Sequence, residues 1–149
     1  MWVHLHEIAP GQSFSSARRT LTEADIVAFA GVSGDFNPLH VDETFAREDG
    51  PFGARIVHGP LVLAMCFGLR SPRDDWKVLA LIECSRRFVA PVFAGDTVQA
   101  HYTVEAVRES KSRPAAGFVT VAVAVHSQRQ EIVQEGTDVL MVARDRASA

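Results

Sequence analysis

Hydrophobic and polar residues fall into two regimes along this chain. Before residue 70 the apolar positions recur at helical spacing, between loops rich in Gly, Asn and Pro; beyond residue 78 they alternate. Thr22-Glu23-Ala24-Asp25 has the form of a capping box. Ile26, Phe29 and Ala30 follow at helical intervals, with Gly31 as the predicted stop. Asp42 is placed to cap a second short helix in VDETFARED. From Pro60 to Leu69 the chain is apolar on every side, which predicts a helix enclosed by the rest of the protein. Pro60 suits the first helical position, where a missing N–H costs nothing, and Gly59 falls at the cap with its amide free.

The second regime predicts strands. Val78 to Ile82 and Arg87 to Phe93 read as a strand, or as one long bent strand. Val98, Ala100, Tyr102, Val104 and Ala106 alternate with Gln99, His101, Thr103 and Glu105. Phe118 to His126 follows the turn-prone SKSRPAAG, and Ile132 to Val142 follows SQRQE. Connections this short imply antiparallel pairing. Helices first and strands afterwards predict an α+β layer architecture, with the sheet curled around the apolar helix. No repeat or linker divides the sequence, so residues 1–149 are expected to form one domain.

Composition narrows the functional classes. Of 149 residues, 47% are hydrophobic and 22% charged, which suits a soluble globular domain. A formal charge of −3 and the lack of a basic cluster give no reason to expect nucleic acid or an anionic membrane as partner. No apolar run reaches the length of about 20 residues that spans a bilayer. The start, MWVHLHEIAP, lacks the form of a secretory signal. Cys66 and Cys84 sit among apolar neighbours and read as two buried, reduced thiols of a cytoplasmic protein. His4 and His6 share one face of any N-terminal strand, but no acidic or cysteine partner at ligand spacing accompanies them, so no metal site is expected.

The stretch SGDFNPLHVD, Ser33 to Asp42, carries the candidate chemistry. Gly34 and Asn37-Pro38 predict an irregular loop that presents Asp35 and His40 five residues apart. Taken alone, a turn acid and a loop histidine making structural hydrogen bonds would explain these residues. Followed by ARIVHGPLVLA, however, SGDFNPLHVD closely resembles the hydratase motif of MaoC-like dehydratases and (R)-specific enoyl-CoA hydratases. FVAPVFAGDTV resembles, more weakly, the strand and turn after that family's central helix. The resemblance runs from about Thr22 to Val142 and implies a hot-dog fold, an antiparallel sheet wrapped around a central hydrophobic helix.

Residue by residue, the resemblance places the family's catalytic pair on Asp35 and His40 and its oxyanion contact on the backbone N–H of Gly59. It implies reversible hydration of a trans-2-enoyl thioester to the (R)-3-hydroxyacyl thioester. Coenzyme A or acyl carrier protein bears the acyl group, and coenzyme A enters as part of the substrate rather than as a cofactor. The chemistry suits those groups: an imidazole takes a proton from water, a carboxylate holds or relays one, and a helix-opening amide stabilises enolate charge. Asn37 is expected to bond the loop backbone and His58 to orient the loop or pack at the site. Phe67 stands where some relatives carry a serine and is expected to narrow the acyl pocket. Arg86, Arg87, Lys111 and Arg113 are candidates for the phosphates of coenzyme A, with none singled out. One hot-dog repeat leaves sheet edges open, so a homodimer or larger homo-oligomer is expected. Two other readings are a hot-dog acyl-CoA thioesterase and a non-catalytic module that binds acyl thioesters.

Overall fold

A computed structural model describes residues 1–144. Five strands form one antiparallel sheet: β1 (Ser13–Thr20), β2 (Val78–Phe88), β3 (Thr97–Glu109), β4 (Ala116–Ser127) and β5 (Ile132–Ala143), in the order β1-β3-β4-β5-β2. Four α-helices precede or interrupt them: α1 (Glu23–Ser33), α2 (Pro38–Val41), α3 (Glu43–Glu48) and α4 (Gly59–Gly68). Every pairing between strands carries a register shift, and such bulges bend and twist a sheet. The run predicted from Phe118 to His126 lies in β4, where burial alternates, with Val119, Val121, Val123 and Val125 all turned inward. They form one core with Leu61, Val62, Met65 and Cys66 of α4. Tyr102 reaches in from β3 and donates its hydroxyl to the Cys66 carbonyl at 3.1 Å. Burial pushes that phenol up to about 12.

The predicted α+β arrangement is what the chain adopts, with local differences. β1 went unread because SFSSARRT is polar; as an edge strand with one neighbour it buries only Ser16. α1 runs past Gly31 and stops at Gly34, whose φ of 76° supplies the left-handed turn that ends the helix. Gly31 has open space around its Cα and is simply carried in the helix. α4 begins one residue early, with His58 as N-cap and Pro60 in the second position. Nor is α4 enclosed all round: Pro60, Ala64 and Gly68 are exposed in a row, because the sheet of one chain covers only one side of it. Cys84 is exposed on edge strand β2, whereas Cys66 is buried and its thiol is pushed up to about 11 by desolvation. No helix among the described residues is long and apolar enough to cross a membrane.

The turn between β2 and β3 is held by a clamp. Asp96, 5% exposed, accepts from the Phe93 N–H at 2.9 Å, the Gln128 amide at 2.6 Å and the Arg129 guanidinium at 2.7 and 3.2 Å. Burial alone would raise its carboxyl, but the bonds from Arg129, Gln128 and Phe93 outweigh it and hold the group below the usual range. A carboxyl depressed in the folded state contributes stability above its unfolded pKa of about 3.9 and loses it as pH falls through the folded value. The protection of the Phe93 amide from hydrogen exchange, relative to its intrinsic rate at each pH, is therefore expected to fall below about pH 4, and to be low already at neutral pH in Asp96→Ala. Exchange that ignores both changes would contradict the clamp.

Candidate active site

The loop that opens at Gly34 is built from its own side chains. The Asn37 N–H donates to Oδ1 of Asp35 at 3.1 Å, and Oδ1 of Asn37 accepts from the Leu39 N–H at 3.0 Å. Asn37 therefore caps the single turn α2, which the sequence pattern predicted only as irregular loop. That turn lifts His40 towards the segment preceding α4. The segment is fixed in turn: Ile56 N–H bonds the Leu39 carbonyl at 3.0 Å and Val57 N–H the Val92 carbonyl at 2.7 Å.

His40 Nδ1 lies 2.8 Å from the Ile56 carbonyl. A carbonyl only accepts, so Nδ1 carries the hydrogen and Nε2 presents a lone pair. Nε2 faces Oδ2 of Asp35 at 3.9 Å, with the His40 side chain 12% exposed and that of Asp35 47% exposed. His58, fully buried, lies beneath: its Nε2 donates to the Asp35 backbone carbonyl at 3.0 Å. Its ring stacks on His40 with centroids 3.8 Å apart and is backed by Phe29 at 5.1 Å. Donor atoms of Asp35, His40 and His58 all lie within 4.8 Å of one another, a spacing that can hold a cation. The face-to-face imidazoles suit ring contact better than convergence of two lone pairs on an ion.

Gly59 opens α4 directly after His58, at the positive end of the helix dipole. Its N–H has no hydrogen-bond partner among the described residues. Gly59 borders an apolar groove of about 280 Å³, together with Phe52, Ile56, Phe88 and the chain from Val89 to Val92. A Cβ on Gly59 would stand 2.7 Å from the Phe88 ring. Phe88 is 56% exposed and can swing outward, so Gly59→Ala is expected to cost less than about 2 kcal/mol. A thermal-denaturation cycle with Phe88→Ala should show the two changes coupled; additive effects would contradict the contact.

Asp35, His40, His58 and Gly59 are thus brought together, and Asn37 serves the loop backbone. Phe67 lies elsewhere, near the far end of α4 and about 12 Å along the helix from Gly59. Its ring sits under the Arg73 guanidinium at 5.4 Å and near Arg86 at 6.0 Å. Arg86 is itself buried against Asp138 at 2.8 Å, which removes it as a contact for phosphates. Arg87 is exposed and pairs with Glu135 at 3.3 Å. Two groups at the candidate site escaped the sequence pattern. The Ile56 carbonyl is backbone, which no residue pattern signals, and Gln134 of β5 is followed by Glu135, Thr137 and Asp138, so nothing in the sequence marks it as buried at the groove.

Comparison with known proteins identifies the family and the fold. The family model for the MaoC like domain matches residues 6–136. The (R)-specific enoyl-CoA hydratase of Rhodospirillum rubrum is 33% identical over 141 residues, 95% of this chain and 93% of its own. Protein MaoC of Klebsiella aerogenes is 43% identical over 101 residues, and the match covers 67% of this chain but 30% of that longer protein. Among solved structures, the monoamine oxidase regulatory protein of Archaeoglobus fulgius superposes with a TM-score of 0.87 at 31% identity, covering 97% of this chain and 96% of its own. A Mycobacterium tuberculosis protein with a double hotdog fold, 16% identical, matches at 0.82 over 99% of this chain and 46% of its own, which bears on the fold alone. With a sheet curved about α4 and a family match across nearly the whole length, the chain belongs to the MaoC-like dehydratases as a hot-dog domain.

Proposed function

We propose that this protein catalyses the reversible hydration of a trans-2-enoyl thioester, with coenzyme A as carrier, to the (R)-3-hydroxyacyl thioester. Its relatives include (R)-specific enoyl-CoA hydratases and 3-hydroxyacyl dehydratases. The observation that carries the reading is the His40–Asp35 gap. Because the Ile56 carbonyl holds Nδ1–H, the lone pair of Nε2 faces a carboxylate oxygen at 3.9 Å, a separation that one water molecule bridges. Nε2 of His40 takes a proton from that water while its oxygen bonds to C3 of the enoyl group. The displaced π electrons move through C2 onto the thioester oxygen, where the Gly59 N–H and the dipole of α4 stabilise the charge. The proton returns to C2 from the imidazole–carboxylate pair. The apolar groove beside Gly59 takes the hydrocarbon parts of the substrate.

The active form proposed is a homodimer. Edge strand β2 exposes Leu79, Leu81 and Ile82, each about half exposed, and Phe88 and Val89 continue the patch. The exposed row of Pro60, Ala64 and Gly68 on α4 is likewise apolar. An open edge and an apolar face call for a second copy.

One assay tests the reaction. Purified protein is mixed with crotonyl-CoA, and the conjugated absorbance and free thiol are followed separately. Absorbance that falls without thiol is the expected result. Thiol release indicates a thioesterase, and no change over a range of acyl chains indicates a binding module; either overturns the proposal.

A further inference from the structure

Gln134 is a polar residue in an otherwise hydrophobic setting. It lies on β5 opposite Phe88 and Val125, is 2% exposed, and forms part of the wall of the groove beside Gly59. Its Nε2 donates to the Gly59 carbonyl at 2.8 Å, which fixes the orientation of the side-chain amide. The other end, Oε1, is buried with no hydrogen-bond partner. The rest of the wall is Phe52, Ile56, Val62, Phe88 and their apolar neighbours. A buried amide oxygen left without a donor is costly, and native proteins rarely leave one so.

Resting on the hydratase reading, we propose that Gln134 is a specificity-determining residue: its Oε1 accepts a hydrogen bond from an N–H or O–H donor of the thioester substrate. The position is favourable because Gln134 bonds the carbonyl of the same residue whose N–H is assigned to the thioester oxygen. A donor a few bonds from the thioester carbon therefore falls within reach. Two parts of a substrate supply such a donor: the cysteamine amide N–H of the pantetheine arm, and a hydroxyl on the acyl chain. Phe88, opposite Gln134 in register and more than half exposed, is the side chain whose rotation opens the wall to it. A site built around such a bond discriminates strongly against the analogue without the donor, because the buried acceptor is then left unpaired.

The test uses saturated thioesters, which bind but have no double bond to hydrate, and isothermal titration of the intact protein. One pair is butyryl-pantetheine and its analogue N-methylated at the cysteamine amide. The second pair is 6-hydroxyhexanoyl and hexanoyl thioesters on that N-methylated carrier. Wild-type protein is expected to bind the donor-bearing member of one pair about tenfold more tightly, and the pair that discriminates identifies the donor's source. In Gln134→Met, similar in length but without the amide, the preference is expected to shrink to within about twofold. Equal binding of both members of both pairs by wild type overturns the proposal without need of the variant, so misfolding of Gln134→Met does not shield it. A preference that survives in Gln134→Met overturns it too. Absence of binding by all four thioesters removes the acyl-thioester reading along with this inference, whereas binding without discrimination removes this inference alone.

Discussion

Asp35→Asn and His40→Ala are each expected to lower kcat for crotonyl-CoA hydration by about 100- to 10,000-fold. KM is expected to change far less, because the groove and Gly59 remain. The Asp35→Asn change is informative because it preserves the loop. An asparagine oxygen can still accept from the Asn37 N–H, while the charge that faces His40 is lost. His40→Ala removes the lone pair proposed to take the proton, and the 2.8 Å bond to Ile56. On the proposed mechanism the double variant is expected to be little slower than the worse single one, since losses at two groups that act on one water are not additive. An Asp35→Asn protein that hydrates at the wild-type rate would show that the carboxylate plays no part in the chemistry. Circular dichroism and thermal melts supply the folding control.

Asp138→Ala is expected to destabilise the protein by about 3–5 kcal/mol, the cost of stranding buried charge. The Asp138 side chain is fully buried between two guanidiniums, with Oδ2 2.8 Å from Arg73 and Oδ1 2.8 Å from Arg86. Those arginine side chains are only 9% and 3% exposed, and without the carboxylate both would be left as buried cations. Arg73 keeps its place over the Tyr102 ring at 4.5 Å, and Arg86 keeps the Ser85 and Thr137 carbonyls, but neither contact supplies negative charge. The triad ties the segment after α4 to β2 and β5, so its loss acts on the frame rather than the reaction. For a chain of this size a shift in Tm of roughly 6–20 °C follows. A melting temperature within about two degrees of wild type would contradict this account. Hydratase activity per folded molecule, measured well below the transition, should be nearly unchanged.

Much of the fold could be read from residue pattern because the signals are local. The capping box at Thr22 and Asp25 forms as expected, with the Thr22 hydroxyl accepting from the Asp25 N–H at 3.3 Å and Asp25 accepting from the Thr22 N–H at 2.8 Å. Asp42 caps α3 through the Phe45 N–H at 2.9 Å. Alternation identified β3, and runs bounded by turn-prone segments identified β4 and β5, each to within a few residues. β1 was silent for the opposite reason: its residues are mostly exposed, and its place is set by pairing with β3. The charged triad was equally hidden, since Arg73, Arg86 and Asp138 are far apart in the chain and resemble ordinary surface charges until folding buries them.

The candidate site divides along the same line. The chain alone determined that an acid and an imidazole stand on one short bent segment, and that an apolar helix begins within a residue of Gly59-Pro60. Those features follow from backbone preferences of Gly, Asn and Pro over a few residues. Only the tertiary structure decided which histidine nitrogen keeps its lone pair, because the carbonyl that settles it belongs to Ile56, 16 residues onward. It also decided that His58 lies under His40, that Phe67 is carried to the other end of α4, and that Gln134, 75 residues from Gly59, reaches the start of the helix. Hydrogen-bond direction and ring contact depend on distances across the fold, and a linear pattern of side chains carries no measure of those.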